Sequence, residues 1–260
     1  MTDAKILTIN LQEEFPHLPG APIAEAIIDI RAKAEAQWEE SSARASLGPL
    51  LEGYNFLDSQ QESQIKLKVQ AGLPVQQVVQ QGWKGIRFRS IDEKNVAEFN
   101  RSGFVFRRLP PYEDWSHLMS EAFRLWSMYL NLAKPTQVQR LGLRFINRIE
   151  LVPPDLNIEE YISGGPLSPK GLNLPFHNFM HHDTWAVPGH SYAMNVIRVF
   201  QSQPGNPLAV ILDIDVYTLP SFELEEGLLE RHLAEMRWLK NKAFFGIVTD
   251  KLLDKFKQPL

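Results

Sequence analysis

The sequence predicts an α+β fold: a largely antiparallel, curved sheet with two long amphipathic helices. Three observations lead there. The run Val138 to Leu151 alternates with a period of two, setting Leu141, Leu143, Phe145, Ile149 and Leu151 against Arg140, Arg144, Ile146 and Arg148. Between Ile65 and Leu109, short β-rich runs are separated by turn clusters, the pattern of a meander. Two further stretches, Tyr112 to Ala133 and the one after Ser221, carry apolar residues at helical spacing.

Met1 to Pro19 reads as a short arm that carries Phe15 and Leu18 toward the body. Pro22 to Arg31 reads as a strand, with Ala24, Ala26, Ile28 and Ile30 on one side and Glu25, Ile27, Asp29 and Arg31 on the other. The alanine-rich stretch from Ala34 to about Tyr54, with Trp38, Leu47, Leu50 and Leu51, predicts one or two helices interrupted at Gly48-Pro49. Strands follow at Ile65 to Gln70, Lys84 to Ser90, Asn95 to Asn100 and Phe104 to Leu109, with tight turns at Asp92-Glu-Lys and Arg101-Ser-Gly. Pro110-Pro111 ends the meander and opens the helix Tyr112 to Ala133, which Lys134-Pro135 closes. Its stripe of Trp115, Leu118, Met119, Ala122, Trp126, Tyr129 and Leu130 is the pattern of a core face, and the apolar face of the central strand is expected to pack against it.

Pro153 to Gly189 is a proline- and glycine-punctuated connection with a short helix near Ile158 to Ile162. Tyr192 to Gln201 and Leu208 to Leu219 read as strands joined by a turn at Pro204-Gly-Asn-Pro207. Ser221 is placed as the cap of a helix with Glu223, Glu225 and Glu226 in its first turn and Leu224, Leu228, His232, Met236 and Leu239 inside. A last short helix starts at Thr249-Asp250 and carries Leu252, Leu253 and Phe256. The layout divides into an α+β half (1–152), an irregular connection (153–189) and a ββαα half (190–260), two related strand-then-helix units sharing one body.

With 260 residues, 44% hydrophobic and 22% charged, the chain can bury a large core. The absence of cysteine excludes disulfides, thiolate zinc sites and cysteine nucleophiles. The first thirty residues lack a basic start followed by an apolar core, and no apolar run approaches the ~18 residues of a membrane span, which predicts a cytoplasmic protein with no membrane partner. A net charge of -4 disfavours nucleic acid as a partner in general. Lys84 to Arg108 is locally basic, with seven cations against three acids, and Trp83, Phe88 and Phe106 are there to stack on bases. Strand alternation instead turns those aromatics into the core.

Six motifs carry a family resemblance. They are Ala21-Pro-Ile-Ala-Glu-Ala-Ile, Gly85-Ile-Arg-Phe-Arg-Ser-Ile-Asp, Gly103-Phe-Val-Phe-Arg-Arg-Leu-Pro-Pro-Tyr-Glu-Asp-Trp, Arg140-Leu-Gly-Leu-Arg-Phe-Ile-Asn-Arg-Ile, Leu212-Asp-Ile-Asp and Arg237-Trp-Leu-Lys-Asn-Lys-Ala-Phe-Phe-Gly-Ile-Val-Thr-Asp. Over nearly its whole length the chain resembles a sporadically distributed family of bacterial proteins of roughly 260 residues with no established activity. The resemblance implies a mobile accessory gene, of the kind common among defence and toxin-antitoxin modules. It predicts a non-enzymatic binding component with a protein partner and no cofactor.

Two constellations could carry chemistry. The polar faces of the strands hold Arg87 and Arg89, then Arg140, Arg144 and Arg148, then Asp213 and Asp215, with Glu25, Asp29 and Arg31 on the first strand. If these faces converge in a curved sheet, arginines for phosphate oxygens and carboxylates for Mg²⁺ would form a phosphate or nucleotide pocket, even a Mg-dependent triphosphate-processing site. The alternatives are a solvated outer face laced with cross-strand ion pairs, or a protein interface. The second constellation is His177, His181, His182, Asp183 and His190, of which His177, His181 and Asp183 are weak candidates for a metal, with the two histidines on one helix face. No Walker loop, dinucleotide glycine pattern, nucleophile elbow or zinc-protease helix is present.

Overall fold

The computed structural model describes residues 5–68, 76–151, 158–167, 169–172, 174, 177–202 and 207–258, with side chains described outside 64–68 and 76–81. The chain begins with β1 (Ile23–Arg31) and α1 (Glu40–Leu47), followed by the meander β2 (Tyr54–Lys68), β3 (Gln76–Ser90), β4 (Asn95–Asn100) and β5 (Gly103–Arg108), and then α2 (Trp115–Ala133). It continues with β6 (Gln137–Val138) and β7 (Arg140–Glu150), a 3-10 turn at Ile158–Glu160, and a second meander β8 (Met180–Ala186), β9 (Tyr192–Gln201) and β10 (Ala209–Thr218). The short β11 (Phe222–Glu223), α3 (Leu228–Ile247) and α4 (Asp250–Phe256) complete it.

Among the described residues nine strands form one open antiparallel sheet, ordered β2-β3-β4-β5-β1-β7-β10-β9-β8. The fold is therefore α+β, as the alternation predicts. β1 pairs with the last strand of the first meander, β7 with the last strand of the second, and β1 and β7 pair with each other at the centre. The register brings Ile28 opposite Leu143 and Phe106, and Phe145 opposite Ile214, so the apolar residues of neighbouring strands share one face. That face is the core, where Ile28, Phe104, Phe106, Leu143, Phe145 and Ile214 are all buried.

Both long helices lie on the apolar face. α2 covers β5, with the Trp126 ring 6.0 Å from that of Phe104 and the Tyr129 hydroxyl donating to Ala32 O and Asn100 O. α3 covers β10 and β7. The central strand therefore packs under α3, where the sequence placed it under α2. The strand order explains this, because β1 stands between β5 and β7 and each meander brings its own helix back over itself. Phe145 still touches the approach to α2, edge-on to Tyr112 at 5.5 Å.

Other expectations need correction. β2 begins at Tyr54, well before Ile65, in a polar run whose strand character comes from pairing with β3 rather than from alternation. Gln70 lies outside the described residues, as do Pro204, Gly205 and Asn206 of the expected turn between β9 and β10. The stretch from Ala34 to Tyr54 holds the single helix α1. The connection after β7 is not wholly irregular: β8 lies in it, an edge strand too polar to show alternation. Helix α2 starts at Trp115, where the Asp114 side chain accepts from His117 N. Ser221 does not cap α3, since Phe222 and Glu223 pair with β6 and the helix starts only after Gly227, whose φ of 74° turns the chain into it. The N-terminal arm docks as expected, Phe15 stacking on Phe245 at 5.5 Å. Among the described residues no helix is long and apolar enough to cross a membrane.

Phe145 is 1% exposed at the centre of the sheet. Phe145→Ala is expected to cost about 3–5 kcal/mol of stability in a denaturant titration. A midpoint equal to that of the parent protein would contradict the register of β7.

Candidate functional site

The second face of the sheet carries the charges in registered rows. On β3, Arg87 grips Asp58 of β2 with two bonds, at 2.8 and 2.5 Å. Arg107 of β5 reaches Glu98 of β4 and Glu25 of β1, each at 2.9 Å. Arg140 of β7 spans its two neighbours, to Asp29 of β1 at 3.0 Å and Asp215 of β10 at 2.8 Å. Arg144 takes Asp213 of β10 in a bidentate pair at 2.8 and 2.5 Å. Arg148 bonds Glu150 and the carbonyl of Pro207, and Arg31 lies 3.5 Å from Asp29. The predicted residues thus share one face, where the carboxylates neutralise the arginines across the strands.

Local sequence makes room for this. Gly142 sits between Asp29 and Tyr217 in the register, and a Cβ there would stand 2.6 Å from Arg140 Nη1. The glycine leaves the gap through which the Arg140 guanidinium lies flat across three strands, 4.6 Å from the centre of the Tyr217 ring. The arginine stems screen what lies beneath: Ile27, Glu98 and Asp213 are buried although they point away from the core. Burial lifts the Asp215 carboxyl above its ordinary range against the pull of Arg140 and Arg144, while the bonds from Arg87 hold that of Asp58 below it. Arg89 differs from its neighbours, because its Nε is buried without an acceptor.

The histidine constellation disperses. His181 and Asp183 stand on strand β8, which rules out the helix face expected for His177 and His181. Asp183 is held by Arg198 at 2.5 Å, and His190 meets the carbonyl of Leu7 at 2.8 Å. Among the described residues no three His, Asp or Glu side chains gather closely enough to hold a metal ion. Of the aromatics in the basic segment, Phe88 and Phe106 are buried in the core, and the Trp83 indole donates to Ser59 Oγ at 3.0 Å.

Sequence patterns did not single out an open groove of about 1600 Å³ at the end of the β4–β5 hairpin, where β3 runs on alone with β2. Trp38 and Trp83 meet edge-to-face at 5.1 Å in its wall. Trp38 is only 7% exposed, yet its indole N–H has no acceptor. Lys33, Lys84 and Arg101 line the groove with Glu35, Glu39, Glu40 and Glu62, and among the described residues those three cations have no ion pair. The available signal was Trp38, which the sequence pattern assigned to a helical stretch and which stands just before α1.

Neither the family models nor the curated proteins contain a match to this chain.

The Arg144–Asp213 pair has a measurable coupling. Arg144→Ala strands the carboxylate of Asp213, which is 6% exposed, and is expected to cost about 1–2 kcal/mol, the exposed arginine having been partly screened already. Adding Asp213→Ala should recover part of that loss. Strict additivity in the denaturant cycle would show that the two charges do not depend on each other.

Proposed function

We propose that this protein is a non-enzymatic binding component of a bacterial accessory module, of the defence or toxin-antitoxin kind, and that it engages a protein partner along the free edge of β3. The observation that carries this is the unequal length of the strands. The pairing of β3 with β4 stops at Gly85–Asn100, and the last bond on that side runs from Arg101 N to Lys84 O. The pairing of β3 with β2 continues to Lys68–Gln76. From Trp83 outward the two strands form a ribbon, and its β3 edge has no strand paired to it among the described residues. A two-stranded ribbon is marginal in water, whereas an added strand satisfies its backbone groups.

The groove lies where such a strand would enter, continuing the line of β4. An extended segment there would bring acidic side chains to Lys33, Lys84 and Arg101. The phosphate-pocket alternative draws less support, because Arg87, Arg140 and Arg144 each already hold a carboxylate within 3.0 Å, and a phosphate would have to displace it.

A shortened variant tests this, with Ser63 to Gln81 replaced by a tight turn joining Glu62 to Gly82. Affinity capture from native cells should return a reproducible partner with the parent chain and lose it with the shortened one, while the melting temperature stays within a few degrees. Equal capture by both chains, or no reproducible partner for a parent chain that elutes alone on a sizing column, would refute it.

A further inference from the structure

A second cavity, of about 170 Å³, lies apart from the groove, where the N-terminal arm, the approach to α2 and the middle of α3 meet. Two cations one helical turn apart face it, Lys240 half-buried and Arg237 exposed at the rim. The Lys240 ammonium rests 3.9 Å from the centre of the Phe145 ring, and the Arg237 guanidinium lies 5.2 Å from that of Trp115. Neither has an ion pair or a hydrogen bond among the described residues. The acids at the rim are committed elsewhere: Glu113 bonds Arg108 at 2.7 Å, and Asp114 caps α2 and holds the His117 ring at 2.7 Å. Asn147, which is buried, turns its amide N–H group to Leu212 O at 3.0 Å.

Aromatic rings form the remaining wall, Phe15 stacked on Phe245 and Phe245 edge-on to Phe244. The space far exceeds the roughly 10–15 Å³ that one water needs on this measure. An uncompensated ammonium set against apolar walls is costly, and an anion with an apolar body offsets that cost while the exposed Arg237 meets it from the rim.

We propose that this cavity binds a small organic carboxylate with an aromatic or branched apolar group, its charge shared by Lys240 and Arg237 and its body set against Phe15, Trp115 and Phe245. Burial and the nearby Arg237 push the Lys240 ammonium down to about 7 in the free protein. A bound carboxylate favours the charged form, so binding above neutral pH takes up a proton and affinity falls as the pH rises through that value. The other titratable groups facing the cavity are Tyr112, Glu113, Asp114 and the exposed His17.

Calorimetry with phenylacetate, alongside inorganic phosphate and acetate, tests the proposal on the full chain. Phenylacetate should bind at millimolar or lower concentration near pH 6, at least tenfold tighter than acetate or phosphate, and weaken tenfold or more by about pH 9. Lys240→Met keeps the stem and removes the charge, so it should keep or raise the melting temperature, weaken binding tenfold or more and abolish the pH slope. If the slope persisted in that variant, it would not come from Lys240, and the proposed role of its ammonium would be overturned. Arg237→Gln should weaken binding independently. Phosphate binding as tightly as phenylacetate, equal binding to the Lys240 variant, or no heat with phenylacetate at about 10 mM would overturn the proposal.

Discussion

The antiparallel pairing of β1 with β7 is the constraint on which everything else in this molecule depends. Each strand closes its own meander, β1 against β5 and β7 against β10, and only their mutual bonds turn two short sheets into one. With a side-chain period of two, one register serves both faces: it puts Ile28 beside Leu143 in the core and Asp29 beside Gly142 on the other side. A slip of one residue would bury the arginines and expose Leu143 and Phe145. The bonds of Arg140 to Asp29 and Asp215 clip β1, β7 and β10 together over that glycine, so charge and apolar pattern favour the same alignment.

Much of the fold was legible because it is written in alternation. β1, β4, β5, β7, β9 and β10 lie on their predicted segments, and α2 follows its aromatic stripe. The failures share a cause, which is that tertiary pairing decides what local pattern leaves open. The run from Tyr54 to Gln64 is a strand because β3 lies beside it, and β8 is a strand because β9 does. Phe222 and Glu223 resemble a helical first turn until β6 claims their backbone. For the same reason the order of strands, and with it the choice of α3 as the cover of β7, could not be read from periodicity.

The charged residues were legible as a face and illegible as pairs. Alternation puts Arg140, Arg144, Asp213 and Asp215 away from the core, but whether they wait for an anion or satisfy one another depends on which strands are neighbours. Their mutual bonds make the broad second face a self-neutralised surface. Unspent polar groups remain elsewhere, in Trp38 beside the ribbon and in Lys240 with Arg237 where the N-terminal arm meets α3. Lys240 gave no sequence signal, since one lysine next to the inner stripe of an amphipathic helix resembles any snorkelling side chain. What distinguishes it is the Phe15 arm, contributed from more than two hundred residues away, which closes the space above it.

If the β1–β7 junction is the keystone, the two meanders belong to one cooperative unit. Native-state hydrogen exchange measures this directly, because amides that open only on global unfolding exchange slowest. The slowest amides should lie on β1, β7 and β10, with β5 close behind, sharing one free energy of opening that equals the global stability. Slow amides confined to one meander, with β1 and β7 opening at a markedly lower free energy, would contradict the account and make the halves separate folding units.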